Sequence, residues 1–277
     1  MRLKLIILSF IFIHIISPAC FPINSEEYLR CVEKADSCVL NEEWESAEKF
    51  LRQALKCEPA NPGNQLLLTN MGMILTAQGK YGEAIRHLDT ALTLNPGSFL
   101  AYKNRGMAYS AMMRLEDACN DFSKALEIDS LDINVRCLRA TVYAYGNRID
   151  KASKDYSFVL GKERDNVAAL EGMATCCLAL GKHDEAIPFL NRLIEIKPEP
   201  EHYFTRGLSL AYLGRFTEAS EDSKEGLLLD PSNGNLWLLR AYIEKTTYRH
   251  NEAKNSLEKA RKFGADRELE YQLLPNM

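Results

Sequence analysis

Apolar residues recur along this chain in short helical stripes, and the stripes themselves repeat. A small residue anchors each one: Ala47, Ala84, Ala118, Ala152, Ala186, Ala219 and Ala253 stand 37, 34, 34, 34, 33 and 34 residues apart. Four residues after each anchor comes Leu51, Leu88, Phe122, Tyr156, Leu190, Ser223 or Leu257. Seven after it comes Ala54, Ala91, Ala125, Val159, Leu193, Gly226 or Ala260. Positions i, i+4 and i+7 share one helix face, so every anchor predicts a helix whose smallest residues let a second helix come close. A turn precedes the anchors: Gly79-Lys80-Tyr81, Met113-Arg114-Leu115, Asn147-Arg148-Ile149, Gly181-Lys182-His183, Gly214-Arg215-Phe216 and Tyr248-Arg249-His250. Glycine or asparagine opens four of these six, which suits a left-handed residue closing an earlier helix. Pro59, Pro96, Pro198 and Pro231 then end the second helix. A period this regular identifies a solenoid of helical hairpins.

These residues resemble the tetratricopeptide repeat (TPR) family. Its order of glycine, tyrosine, alanine, large apolar residue and alanine is carried most fully by Gly106, Tyr109, Ala118, Phe122 and Ala125. The resemblance implies an all-α fold, a right-handed TPR solenoid of about seven helix-turn-helix repeats over residues 28–267. Their starts fall near Tyr28, Gln65, Phe99, Ile133, Val167, Pro200 and Gly234. Repeats two, three, five and six fit best; the first lacks the turn glycine and the seventh the final proline. In the tail, residues 268–277, Leu269, Leu273 and Leu274 leave two readings open, a short capping helix or a disordered segment.

The start of the chain reads differently. Arg2 and Lys4 precede an apolar run over residues 5–16, followed by Ser17-Pro18-Ala19-Cys20. That arrangement predicts a secretory signal over residues 1–19, the run being too short to span a membrane as a helix. Cys20 directly after a small residue resembles the acylated cysteine of bacterial lipoproteins, with Ser17 at a place that is usually leucine. The resemblance implies lipidation at Cys20, a linker over residues 20–27 and anchoring in a cell envelope; simple cleavage after Ala19 is the alternative.

Composition changes the picture in two ways. With 38 acidic against 34 basic residues, no basic face points to nucleic acid. Besides Cys20 there are Cys31, Cys38, Cys57, Cys119, Cys137, Cys176 and Cys177, an odd number for an exported chain. Cys31 and Cys57 come to the same end of the first hairpin, where a disulfide and two packed thiols are both open. Cys176 and Cys177 are expected to pack. Arg105, Arg139 and Arg206 hold the seventh position of repeats that carry Asp121, Asp155 and Asp222 at the twenty-third. This correlation predicts a charge pair between the two helices of each of these repeats, with Arg240 and Ser256 as the exception in repeat seven.

Catalytic constellations are wanting. His87, His183, His202 and His250 are scattered, without an HExxH helix, and neither a phosphate-binding glycine loop nor a GxSxG elbow occurs. The expectation is a non-enzyme without cofactor or metal. The TPR resemblance implies instead that first helices line a concave groove for a peptide or helix of a partner. Carried onto this chain, the groove includes Thr69, Asn70, Met73, Lys103, Asn104, Met107, Asn134, Thr141, Glu171, Phe204, Tyr212 and Tyr242. The Lys and Asn pattern of repeats that clamp chaperone tails fits no three-repeat window here. Together these readings predict an exported, lipid-anchored scaffold that binds protein. The alternatives are a soluble periplasmic or secreted adaptor, or an accessory subunit that positions an enzyme of envelope or secretion machinery.

Overall fold

A computed structural model describes residues 25–275, and the predicted signal segment and Cys20 lie outside them. Fifteen α-helices and no strand occur among the described residues, so the fold class is all-α. The chain divides into two compact units, one ending at Ala108 and one beginning at Tyr109. The first holds α1 (Glu26–Leu40), α2 (Trp44–Cys57), α3 (Asn64–Ala77), α4 (Tyr81–Leu94) and most of α5 (Phe99–Ala111). Into the second fall α6 (Leu115–Ile128), α7 (Ile133–Tyr145), α8 (Ile149–Lys162), α9 (Val167–Ala179), α10 (His183–Ile196) and α11 (Pro200–Tyr212). It ends with α12 (Phe216–Leu229), α13 (Gly234–Thr246), α14 (His250–Lys262) and α15 (Arg267–Leu273).

The turns inside the hairpins follow one device. A left-handed residue stands at Glu42, Gly79, Met113, Asn147, Gly181, Gly214 and Tyr248, and again at Gly264 after α14. The next amide reaches back across the turn: Lys80 N to Leu75 O at 2.8 Å, Lys182 N to Cys177 O at 2.9 Å, Arg249 N to Glu244 O at 2.8 Å. This satisfies a carbonyl that the ending helix would otherwise leave orphaned. Met113 and Tyr248 adopt the strained conformation although both are exposed, because the turn imposes it on whatever residue stands there.

All seven anchor alanines are 0% exposed, so any larger side chain would push the paired helix away. Glycines continue the same logic: a Cβ on Gly72 would lie 2.3 Å from Leu88, and one on Gly172 would lie 2.2 Å from the Tyr156 ring. In the first unit, Leu51, Met71, Ile74, Leu75 and Leu88 build one core from α1 to α5. In the second, successive cores are shared between neighbouring hairpins, as Tyr156 and Val159 of α8 join Ala169 and Cys176 of α9.

Residues 58–64, where the period stretches, are tied down. The Asn64 amide donates to Glu58 O at 2.6 Å while the Tyr28 hydroxyl donates to Asn64 Oδ1 at 3.3 Å. Of the two tail readings the helix is the one found: α15 is capped by Asp266, and Leu273 and Leu274 bury against Leu238 and Leu257. Cys31 and Cys57 are both free thiols, so the disulfide alternative is set aside.

Candidate functional site

Arg139 and Arg206 each pair with the aspartate on the second helix of their own repeat. Arg139 makes a fork to Asp155, with Nε donating to Oδ2 at 2.8 Å and Nη2 to Oδ1 at 2.9 Å. Arg206 repeats it on Asp222. Burial pushes the Asp222 carboxyl up, and the bonds from Arg206 pull against that shift. Both arginines reach the preceding hairpin as well, Arg139 to Ser123 at 3.0 Å and Arg206 to Asn191 at 2.8 Å, and Arg105 meets Asp89 of its preceding hairpin at 2.6 Å. The pairs therefore clamp successive hairpins as well as the two helices of one. In repeat seven the carboxylate comes from the first helix, where buried Glu244 accepts from Arg240 Nε at 2.9 Å and from the Ser256 hydroxyl at 2.6 Å. Sequence reasoning missed Glu244 because it sought an acid only at the position of Ser256.

The residues named for the groove fall on the first helices, and each unit presents its own set. In the first unit Asn70 and Met73 of α3 match Lys103, Asn104 and Met107 of α5, all half-buried. Asn70 with Met73 and Asn104 with Met107 are the same pair one repeat apart. Among the described residues neither asparagine amide has a side-chain hydrogen bond, which leaves both with donor and acceptor capacity for a ligand. Thr69 departs from the expectation. It is 1% exposed and its hydroxyl donates to Gln65 O at 2.8 Å, so it faces the core and offers nothing to a partner.

In the second unit Asn134, Thr141 and Glu171 are exposed on α7 and α9. The Thr141 hydroxyl is already shared with the Tyr156 hydroxyl at 2.9 Å. Phe204 and Tyr242 are half-buried against the core of α11 and α13. Tyr212 is 47% exposed and stands between two rings, with centroids 4.8 Å from His183 and 6.4 Å from Tyr242. This aromatic row spans three hairpins. Its histidine stands at the place held by Tyr81 and Phe216 in other repeats.

One further grouping went unread in the sequence. His202, at the start of α11, brings Nε2 to 3.4 Å from Glu171 Oε1 and 3.9 Å from Glu199 Oε2, while its Nδ1 lies 2.9 Å from Lys197 O. The bond to Glu171 outweighs burial and holds the imidazole above its ordinary value. Glu171 is 31 residues from His202, so no local spacing could announce it.

Comparison with known proteins places this architecture. Family models described as tetratricopeptide repeat match residues 146–205 and 101–130, and one described as TPR repeat matches residues 72–112. The chain contains tetratricopeptide repeats. It resembles a solved tetratricopeptide repeat protein from Parabacteroides merdae, 28% identical, with a TM-score of 0.66 over 91% of this chain and 98% of that one. YrrB, a TPR protein with an unusual peptide-binding site, is 22% identical with a TM-score of 0.57, covering 67% of this chain and 96% of its own. A structure of MamA is 26% identical with a TM-score of 0.53 over 64% of this chain and 98% of that one. DnaJ homolog subfamily C member 3 of Gallus gallus is 38% identical over 71 residues, 26% of this chain. The chain spans 14% of the length of that relative.

Proposed function

We propose that this protein is a non-catalytic scaffold that binds an extended peptide or a helix of a partner along its first helices. The observation that carries the reading is the matched pair on α3 and α5: Asn70 with Met73, and Asn104 with Met107, at equivalent places on adjacent hairpins. An amide ladder can hold a peptide backbone through donor and acceptor together, and the methionines supply adaptable apolar contact beside it. Tyr212 adds an exposed ring in the second unit, tilted against His183 and Tyr242. A preformed surface of this kind loses little entropy on association. The peptide-binding site of YrrB, on a similar fold, supports the reading.

Selection of a displayed random-peptide library on the whole chain tests it. Enriched peptides should bind at least tenfold more weakly to an Asn70→Ala, Asn104→Ala double variant that keeps its helical circular dichroism. Peptides indifferent to both changes would move the site to the second helices. The N-terminal segment adds a location to the proposal: export, with Cys20 acylated and the array held at a membrane surface of a cell envelope. No helix among the described residues is long and apolar enough to cross a membrane. The intact mass of the mature protein should carry acyl chains that a Cys20→Ala version lacks. A mass equal to cleavage after Ala19 would leave a diffusing adaptor.

A further inference from the structure

Glu171 of α9, Glu199 before α11 and His202 within it place one ligand atom each within 4.8 Å of one another. The orientation of the His202 ring follows from its surroundings. Lys197 O, 2.9 Å from Nδ1, can only accept, so Nδ1 carries the hydrogen. Nε2 then faces two carboxylates, and His202 is 7% exposed, so little water reaches it. One imidazole nitrogen and two carboxylate oxygens thus converge on one point, the mixed donor set of a metal site. A backbone carbonyl that orients the far nitrogen of a histidine is also the usual support for a metal ligand.

We infer that Glu171, Glu199 and His202 form a site for a divalent transition-metal ion of the zinc type, bridging repeats five and six. Imidazole with carboxylate suits zinc better than magnesium or calcium, which take oxygen ligands. Bonds of about 2.0–2.2 Å to a tetrahedral ion put ligand atoms roughly 3.3–3.6 Å apart. The separations of 3.4 and 3.9 Å at His202 are close to that spacing. The wider gap between the two acids closes by rotation of Glu171, whose side chain is 48% exposed. Lys197 Nζ holds Glu199 Oε1 at 2.8 Å and leaves Oε2 for the ion. Three protein donors leave a place for water.

Cobalt(II), which reports its ligands optically, is the probe for the full chain, because the seven free thiols among the described residues would reveal themselves by thiolate charge-transfer absorption. One equivalent should give ligand-field absorption without a thiolate band, and Zn²⁺ should displace it. Glu171→Gln, at an exposed position, should weaken binding at least tenfold without loss of helix, and Zn²⁺ should raise the Tm of the parent but not of this variant. No saturable absorption, or equal binding in Glu171→Gln, would overturn the site and leave His202 a protonated partner of Glu171. The test needs no peptide, so its outcome is separate from that of groove binding.

Discussion

Hairpins four (α7 and α8) and five (α9 and α10) are neighbours in the second unit and solve the same packing problem with different chemistry. At the seventh and twenty-third positions hairpin four has Arg139 and buried Asp155; hairpin five has Met173 and Phe189. Arg139 reaches back sixteen residues to Ser123, and Met173 meets Ser157 across the same interval, its sulfur accepting at 3.8 Å. The backbone geometry is therefore indifferent to whether this contact is ionic or apolar. What differs is the penalty for breaking it, since a carboxylate stranded in the core loses far more than a side chain stranded beside a small gap.

The largest effect should come from removing one half of the ionic contact. Arg139→Ala leaves Asp155 buried beside Arg136 alone, 3.3 Å away, and should destabilise the array by about 3 kcal/mol in urea unfolding. Replacing both halves by the residues of hairpin five, Arg139→Met with Asp155→Phe, should restore stability to within about 1 kcal/mol of the parent. A double variant no better than the single one would mean the two hairpins are not equivalent frames.

Gly172→Ala presses the two hairpins directly against each other. Its new methyl would overlap the Tyr156 ring, which is buried and held through its hydroxyl by Thr141. A loss of about 1–2 kcal/mol is expected even though alanine is the better helix former, and the change in melting temperature checks it. Turns give a smaller and opposite effect. Hairpin five turns on Gly181, but hairpin four turns on Asn147 and hairpin seven on Tyr248, all with positive φ. Tyr248→Gly should therefore stabilise by about 1 kcal/mol and Asn147→Gly by less, as asparagine tolerates that conformation.

The smallest effect is one of pH. His202 packs against hairpin five through Glu171, and that contact raises its folded-state value above the unfolded one. Its contribution is thus full below the ordinary histidine range and is lost as pH rises through the raised value. In the presence of a chelator, the stability difference between the parent and His202→Gln should shrink between pH 6 and pH 8. A difference that grows over that interval would reverse the sign of the contact.

Much of the fold was legible because it is written locally and then repeated. Seven buried alanines and the left-handed turn residues need only the chain within one hairpin to be understood. Contacts between hairpins were harder to read. The pairing of Arg139 with Asp155 was visible as a correlation, yet Ser123, Asn191 and Asp89 were not, since serine, asparagine and aspartate share no pattern beyond being polar. Glu244 escaped because the acid moved from one helix to the other. Thr69 was misplaced for a related reason: family position puts it on the groove, but its hydroxyl is satisfied by its own helix and the side chain turns inward. The cluster at His202 requires the register between two hairpins, which spacing alone cannot supply.

Binding along the first helices is the central claim, and hydrogen–deuterium exchange on the whole chain with a selected peptide tests it most directly. The account predicts slowed exchange confined to first helices, led by α3 and α5 around Asn70 and Asn104, with the second helices unchanged. Protection that falls instead on α2, α4 or α6 would contradict it and place the partner on the opposite face.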